Sequence, residues 1–429
     1  MTKTTAPRAL SRRSFLGSGV AGIALFATGA HAQDGGALDA IISAPRRGNW
    51  DDQFDAKSSR AAAQVATRIP ITSPETLGFV ERAIYQYQDI VARGGWPTVP
   101  GDKKLKLGSI DPTVRILRQR LMASGDLDPT AGLSDSFDSY VDGAVKKFQA
   151  RHGLPADGVL GTYTYKALNV SAAVRLGQLQ TNLGRLREFS APLEGRYVMV
   201  NIPAAQIEAV ENGKVVLRHT AIVGKIDRQT PILNSKIYEV ILNPYWTAPR
   251  SIVEKDIMPL MRKDPTYLTR NSIRLIDGQG NEVPPEMIDW NAPKAPDLTF
   301  RQDPGKINAM ASTKINFHNQ HAVYMHDTPQ QSLFNKLIRF ESSGCVRVQN
   351  VRDLTTWLLR DTPGWTRQQM EQTIQSGQNT PIRLAVEVPV YFVYFTAWSS
   401  EDGIVQFRDD IYEMDGRAEL ALQTNFAAE

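Results

Sequence analysis

Arg196-Tyr197-Val198-Met199-Val200-Asn201-Ile202, then Ile207-Glu208-Ala209-Val210-Glu211, Asn212-Gly213 and Lys214-Val215-Val216-Leu217, form the stretch at which this chain changes character. Upstream, apolar residues recur every three or four positions; here the period falls to two, the pattern of strands. Asn212-Gly213 supplies the positive backbone angles that a two-residue hairpin turn requires. A β-rich domain is therefore expected to begin at residue 196. Further strands are expected at 235–242, 322–326, 382–388 and 390–398. The polar, proline-studded stretch 251–306 is too long for a plain connection in a compact domain and is expected to be a subdomain.

Upstream of that boundary the chain reads as helical. Thr72-Ser73-Pro74-Glu75 offers a cap, a first-turn proline and an early acid, followed by Leu77, Val80, Ile84, Tyr87 and Val91 on one face; Gly94-Gly95-Trp96-Pro97 ends the helix. Helical spacing returns in Val114, Leu117 and Leu121, and again in Val141, Val145 and Phe148. The wording from Val145-Lys146-Lys147-Phe148 through His152-Gly153-Leu154, Asp157-Gly158-Val159 and Gly161 to Ala167-Leu168 resembles the small helical peptidoglycan-binding domain of cell-wall enzymes. That likeness implies glycan binding; a helical spacer is the plainer alternative.

The 429 residues hold 49 basic and 45 acidic side chains. Ser11-Arg12-Arg13-Ser14-Phe15-Leu16, the small apolar stretch 17–29 and Ala30-His31-Ala32 read as a cleavable twin-arginine signal. The stretch is shorter than the roughly 20 residues of a membrane span. Lys3, Arg8, Arg12 and Arg13 all lie in this segment, so its removal leaves 45 bases against 45 acids. That balance argues against a nucleic acid or an acidic membrane as partner. A periplasmic protein is expected, with no intrachain disulfide, since Cys345 is the sole cysteine.

Cys345 lies in Phe340-Glu341-Ser342-Ser343-Gly344-Cys345-Val346-Arg347-Val348, nineteen residues after His326 in Tyr324-Met325-His326-Asp327-Thr328. A thiolate is the reactive form of cysteine, and a histidine within hydrogen-bond reach is a means of making it. The small residues before Cys345 make poor core sequence and let backbone approach a substrate carbonyl, which favours a nucleophile over an inert buried thiol. The N–H groups of Gly344 and Cys345 are the candidate oxyanion donors. Strand alternation places Tyr324 on the face of His326, and Tyr324 and Ser343 are substrate-binding candidates. Arg347 is expected either to hold a substrate carboxylate or to pair with a structural acid. A helical stretch at 333–340 should precede the cysteine, and a helix at 351–359 capped by Asn350 should follow it, too far on for its dipole to reach the sulfur. His152, His219, His318 and His321 are read as surface or satisfied polar residues, and no ligand spacing suggests a metal.

Taken in order, Gly94-Gly95-Trp96-Pro97, Ile222-Val223-Gly224-Lys225, Gln229-Thr230-Pro231-Ile232, Asn243-Pro244-Tyr245-Trp246, Ala248-Pro249-Arg250-Ser251-Ile252, Gln302-Asp303-Pro304-Gly305, Asn308-Ala309-Met310, Tyr324-Met325-His326-Asp327-Thr328-Pro329 and Asp410-Ile411-Tyr412 resemble the L,D-transpeptidases. The likeness is to their large multidomain Gram-negative branch and runs from about Ser73 to Asp415. It implies an α+β multidomain fold: a helical N-terminal scaffold and small helical domain, then a β-rich catalytic domain with a capping insert. The implied division is a signal at 1–32, a mobile leader at 33–70, a helical scaffold segment at 71–107, the peptidoglycan-binding-like domain at 108–170, a helical connector at 171–195, the catalytic domain at 196–415 with its capping subdomain at about 251–306, and a tail at 416–429.

The resemblance further implies Cys345 as nucleophile and His326 as base. Tetrapeptide stems of peptidoglycan would be both donor and acceptor, giving 3→3 crosslinks without a metal or organic cofactor; other cell-wall synthases are further candidate partners. Ser342-Ser343-Gly344-Cys345 departs from the commoner Ser-His-Gly-Cys, leaving a backbone carbonyl or Asp327 to orient His326. Ala311-Ser312 replaces a usual glycine and is expected to touch only a turn. Two other functions stay open: a hydrolase or D-amino-acid exchange enzyme using the same acyl-enzyme, and a non-catalytic wall-binding protein.

Overall fold

The computed structural model describes residues 67–416 apart from 102, 190–192 and 194. The expected signal, most of the leader and nearly all of the tail lie outside the described residues. Four apolar clusters organise what is described.

Helix α1 (Pro74–Ala92) starts where Ser73 Oγ accepts the Thr76 N–H at 3.2 Å. It packs through Val80, Ala83 and Ile84 in one apolar cluster with Leu179 and Leu186 of α5 (Ala172–Phe189). Between them in sequence lie α2 (Pro112–Ala123), α3 (Ser139–Arg151) and α4 (Thr162–Asn169). Val114, Leu117, Leu121, Val141, Val145 and Phe148 are all fully buried in the core of this small helical domain. Its last helical turn abuts the C-terminal strands: the His152 ring stacks between Phe148 and Phe407, at centroid distances of 3.9 and 5.4 Å. His152 is thus a turn residue, as one expectation had it, but buried, with Nδ1 2.7 Å from the Phe148 carbonyl; His219 is the satisfied polar residue expected, buried with Nδ1 3.0 Å from the Gln349 carbonyl.

Strands β1 (Arg196–Asn201), β2 (Gln206–Glu211) and β3 (Lys214–Gly224) open the large sheet. Asn212 and Gly213 take φ of 49° and 72° in the turn between the last two. The sheet continues through β4 (Leu233–Leu242), β9 (Thr313–Phe317), β10 (Met325–His326), β11 (Phe340–Ser342), β12 (Val346–Val348) and β13 (Thr380–Val393). Its order is β11-β3-β12-β10-β9-β4-β13-β1-β2, with β2 also paired to β3. The pairings thus run full circle: β3 meets β2 along its first half, and β12 and β11 along its last residues. Val198 and Val200 of β1 face the enclosed core while Tyr197 and Met199 face α1 and α5, which is why β1 reads as a continuous apolar run.

Five local expectations are corrected. The strands placed at 382–388 and 390–398 are one strand, β13, irregular between Arg383 and Val388, followed by a separate β14 (Ala397–Ser399) paired with β15 (Val405–Phe407). Pro389, the residue between the two expected strands, lies inside β13, one residue before the β1 pairing starts at Val390. The strand at 322–326 shrinks to Met325–His326 because Ala322 takes φ of 53°. The helix at 333–340 is a 3₁₀ turn, Gln331–Asn335, and Phe340 already belongs to β11. Asn350 precedes helix α6 (Val351–Leu359) with φ of 52° and makes no side-chain cap bond. Residues 67–70 were expected in a mobile leader, but the Val215 N–H donates to the Arg68 carbonyl at 2.8 Å.

The insert after β4 has its own core of Val253, Ile257, Met258, Leu268, Leu275 and Phe300. Its sheet orders β5 (Trp246–Thr247), β8 (Thr299–Gln302), β6 (Ile273–Ile276) and β7 (Glu282–Val283). The fold is α+β: a helical N-terminal region and small helical domain followed by a β-rich domain carrying this insert.

Candidate active site

Cys345 follows Gly344 on the short link between β11 and β12, and parallel pairing of β12 with β10 sets Val346 beside Met325 and Arg347 beside His326. The Val346 N–H donates to the Tyr324 carbonyl at 3.0 Å, which carries Tyr324 to the level of the sulfur. Sequence proximity did not reveal this arrangement; parallel register did. Gly344 takes φ of +109°, a conformation open to glycine and strained for other residues, and a Cβ there would stand 3.4 Å from the Gln229 carbonyl oxygen.

A buried polar chain fixes the link. Thr230 Oγ1 donates to the Gly344 carbonyl at 2.8 Å and accepts the Gly224 N–H at 2.9 Å. The Thr230 N–H donates to Tyr412 Oη at 3.1 Å, and Tyr412 Oη donates to the Gly224 carbonyl at 2.7 Å. Tyr394 Oη, bonded to Asp410 Oδ1 at 2.8 Å, accepts the Tyr412 N–H. Residues 188 positions apart in the chain thereby set one loop. Arg228 reaches the insert as well: its Nη1 donates to Asp256 at 2.9 Å and to Ser343 Oγ at 2.9 Å.

Cys345 is half-buried. Burial pushes its thiol up from the ordinary value, while the Tyr324 N–H and hydroxyl, then the Lys314 and Arg347 charges, act the other way. Tyr324 is pushed up by burial and then by the negative sulfur, and its hydroxyl also meets the Trp246 side chain from the insert. The His326 and Tyr324 rings stand edge to face, 5.5 Å between centroids. Burial first, then the Arg347 charge, lowers His326 to about 3, so its imidazole is neutral near pH 7. Its Nδ1–H donates to the Asp327 carbonyl at 2.5 Å, leaving Nε2 as the basic nitrogen.

Four site expectations change. No hydrogen bond joins the Cys345 sulfur to His326 among the described residues; the groups that act on the thiol are Tyr324, then Lys314 and Arg347. The Gly344 N–H is engaged with Ser342 Oγ at 3.2 Å, so of the two expected oxyanion donors only the Cys345 N–H lacks a protein acceptor among the described residues. Ser343 Oγ is held by Arg228. Arg347 makes no ion pair among the described residues; Nη1 donates to Gln330 Oε1 at 3.3 Å and Nε is buried without a partner.

Sequence reading missed Ser312 and Lys314. Ser312 donates to Asp327 Oδ2 through Oγ at 2.6 Å and through N–H at 3.2 Å, so it braces the residue whose carbonyl holds His326 and does more than shape a turn. Asp327 Oδ1 accepts from the Thr328 N–H at 2.8 Å and Gln331 Nε2 at 3.2 Å, completing the clamp. The signal was present as the Ala311-Ser312 departure, but its partner fifteen residues on was not readable.

Residues 195–367 match the family model for the L,D-transpeptidase catalytic domain, YkuD, and residues 111–168 match that described as "Putative peptidoglycan binding domain". A "Putative L,D-transpeptidase" of Haemophilus influenzae is 36% identical over 246 residues, 57% of this chain and 49% of that protein. This chain spans about half the length of that relative. Among solved structures, L,D-transpeptidases from Stackebrandtia nassauensis and Xylanimonas cellulosilytica show 14% and 17% identity. They cover 69% and 68% of this chain, and 96% and 99% of their own, at TM-scores of 0.25 and 0.23, superpositions too loose to bear on the fold. The chain is thus similar, at 195–367, to the catalytic domain of the L,D-transpeptidases, and at 111–168 to a peptidoglycan-binding domain.

Proposed function

We propose that the protein is an exported cysteine L,D-transpeptidase that forms 3→3 crosslinks in peptidoglycan through a thioester on Cys345. One observation supports the reading: the half-buried sulfur, with Tyr324 and an unengaged Cys345 N–H beside it, lies at the start of β12, whose neighbour β10 carries His326, a neutral histidine of fixed tautomer. The family likeness supports an acyltransferase; the nucleophile, the crosslink and the periplasmic setting are our inference. The twin-arginine segment supports export.

In the proposed cycle the sulfur attacks the carbonyl carbon of the third residue of a donor tetrapeptide stem. The C–N bond to the terminal D-alanine breaks, and the thiol proton reaches the departing amine by way of His326 Nε2. As oxygen takes negative charge, the Cys345 N–H is placed to donate to it. The side-chain amine of an acceptor stem then attacks the thioester carbon, gives its proton to Nε2 and expels the sulfur. His326 meets the sulfur during turnover, since catalytic hydrogen bonds commonly tighten only with substrate bound. Arg347, without a carboxylate of its own, suits a carboxylate on a stem, and the insert, tied through Trp246 and Asp256, suits keeping water from the thioester.

A penem-type β-lactam tests the acylation half. One adduct per chain at Cys345, by intact mass and peptide mapping, is expected; a folded protein without an adduct sinks the acyl-enzyme and favours wall binding.

A further inference from the structure

Lys314 is a cation without an acid of its own beside a sulfur that must carry negative charge. It stands on β9 opposite His326 of β10 in the antiparallel register. Its Nζ lies 4.4 Å from the centroid of the Tyr324 ring, and Tyr324 is the residue whose N–H and hydroxyl face the sulfur. Lys314 makes no ion pair or hydrogen bond among the described residues. The one acid that acts on it is Glu239 of β4, whose Oε2 already accepts from Asn316 Nδ2 at 2.7 Å. A half-buried ammonium without a counter-charge is costly unless a negative group completes the pair.

We propose that Lys314 is a positioning residue of the thiolate, supplying a fixed positive charge that favours a negative sulfur on Cys345 against its burial, together with the Tyr324 hydroxyl and N–H. This rests on Cys345 being the nucleophile. Only the thiol proton moves, to His326 Nε2 in the proposed cycle and to buffer in the substrate-free protein, and the ammonium and phenol keep theirs. The charged and titratable groups around the pair are Arg347 on β12, which acts in the same sense, Tyr324, His326 and Glu239, with Glu341 acting on Arg347. Burial lowers Lys314 and the thiolate opposes that, while Lys314 in turn disfavours a charged His326. The same cation therefore favours a negative sulfur and an uncharged imidazole.

Because Cys345 is the sole cysteine, the pH dependence of iodoacetamide alkylation reads this thiol alone. Lys314→Met should move the alkylation midpoint up by about one pH unit, roughly a tenfold loss of thiolate on the rising limb. Lys314→Arg should stay near wild type. A midpoint unchanged in Lys314→Met, or moved equally by both variants, overturns the assignment; should the methionine variant fail to fold by circular dichroism, Lys314→Gln carries the same test. No substrate is present, so this result stands apart from the β-lactam adduct that tests the nucleophile itself.

Discussion

Replacing Thr230 by valine keeps the branched shape and removes one hydroxyl from the point where the β3 end meets the Cys345 loop. Thr230 is 1% exposed, and its Oγ1 serves the Gly344 carbonyl and the Gly224 N–H at once. The turn lies hard against the strand, since a Cβ on Gly224 would fall 2.2 Å from the Arg228 carbonyl oxygen, so little room exists for water to replace the hydroxyl. Two buried backbone groups are left unpaired, at about 1–3 kcal/mol each, for a loss of about 2–6 kcal/mol from the local fold. Thr230→Ser keeps both bonds and loses a methyl, costing about 1 kcal/mol. Urea denaturation of the three proteins measures this, with Cys345 alkylation in native buffer as a local probe expected to change rate in Thr230→Val alone. A valine cost below about 0.5 kcal/mol, or equal costs for valine and serine, refutes the reasoning.

Ser312→Ala removes a hydrogen bond to the Asp327 carboxylate, a type worth about 1.5–3 kcal/mol. If half of that reaches the His326 orientation, kcat falls about tenfold with little change in KM; an unchanged kcat confines Ser312 to the turn. The pH dependence of stability has two opposed parts. Burial lowers His326 to about 3 and also lowers His152 and His219, so unfolded chains take up protons that the folded one refuses, and this contribution is lost as pH falls from 6.5 towards 3. Asp409 is raised by burial from 3.8 to about 7, so its contribution is lost as pH climbs through that window. Asp409→Asn should therefore stabilise increasingly from acid to mildly alkaline pH in denaturation series, and a gain independent of pH contradicts the burial argument.

Periodicity made the helical region and most of the sheet readable, because each buried face repeats locally: Val114, Leu117 and Leu121 on a helix, Val198 and Val200 on a strand. What failed was local geometry decided by distant partners. Pro389 falls between the two expected strands, but β4 carries the pairing across it, and Ala322 ends a strand through a positive φ that alternation does not encode. Cys345, His326, Tyr324 and Arg347 were legible as chemistry, and the structure gathers them through the β10 and β12 register. The thiol's pairing with Tyr324, the Ser342 hold on the Gly344 N–H, and the places of Ser312 and Lys314 depend on neighbours brought in by folding, which spacing alone does not carry.

The most direct measurement is mass spectrometry of muropeptides after the purified protein has been incubated with disaccharide-tetrapeptide. The account predicts a crosslinked dimer lacking one D-alanine, joined through the third residues of both stems, and none with Cys345→Ala. A dimer formed equally by Cys345→Ala, or hydrolysed tripeptide as the only product of the wild type, would contradict it.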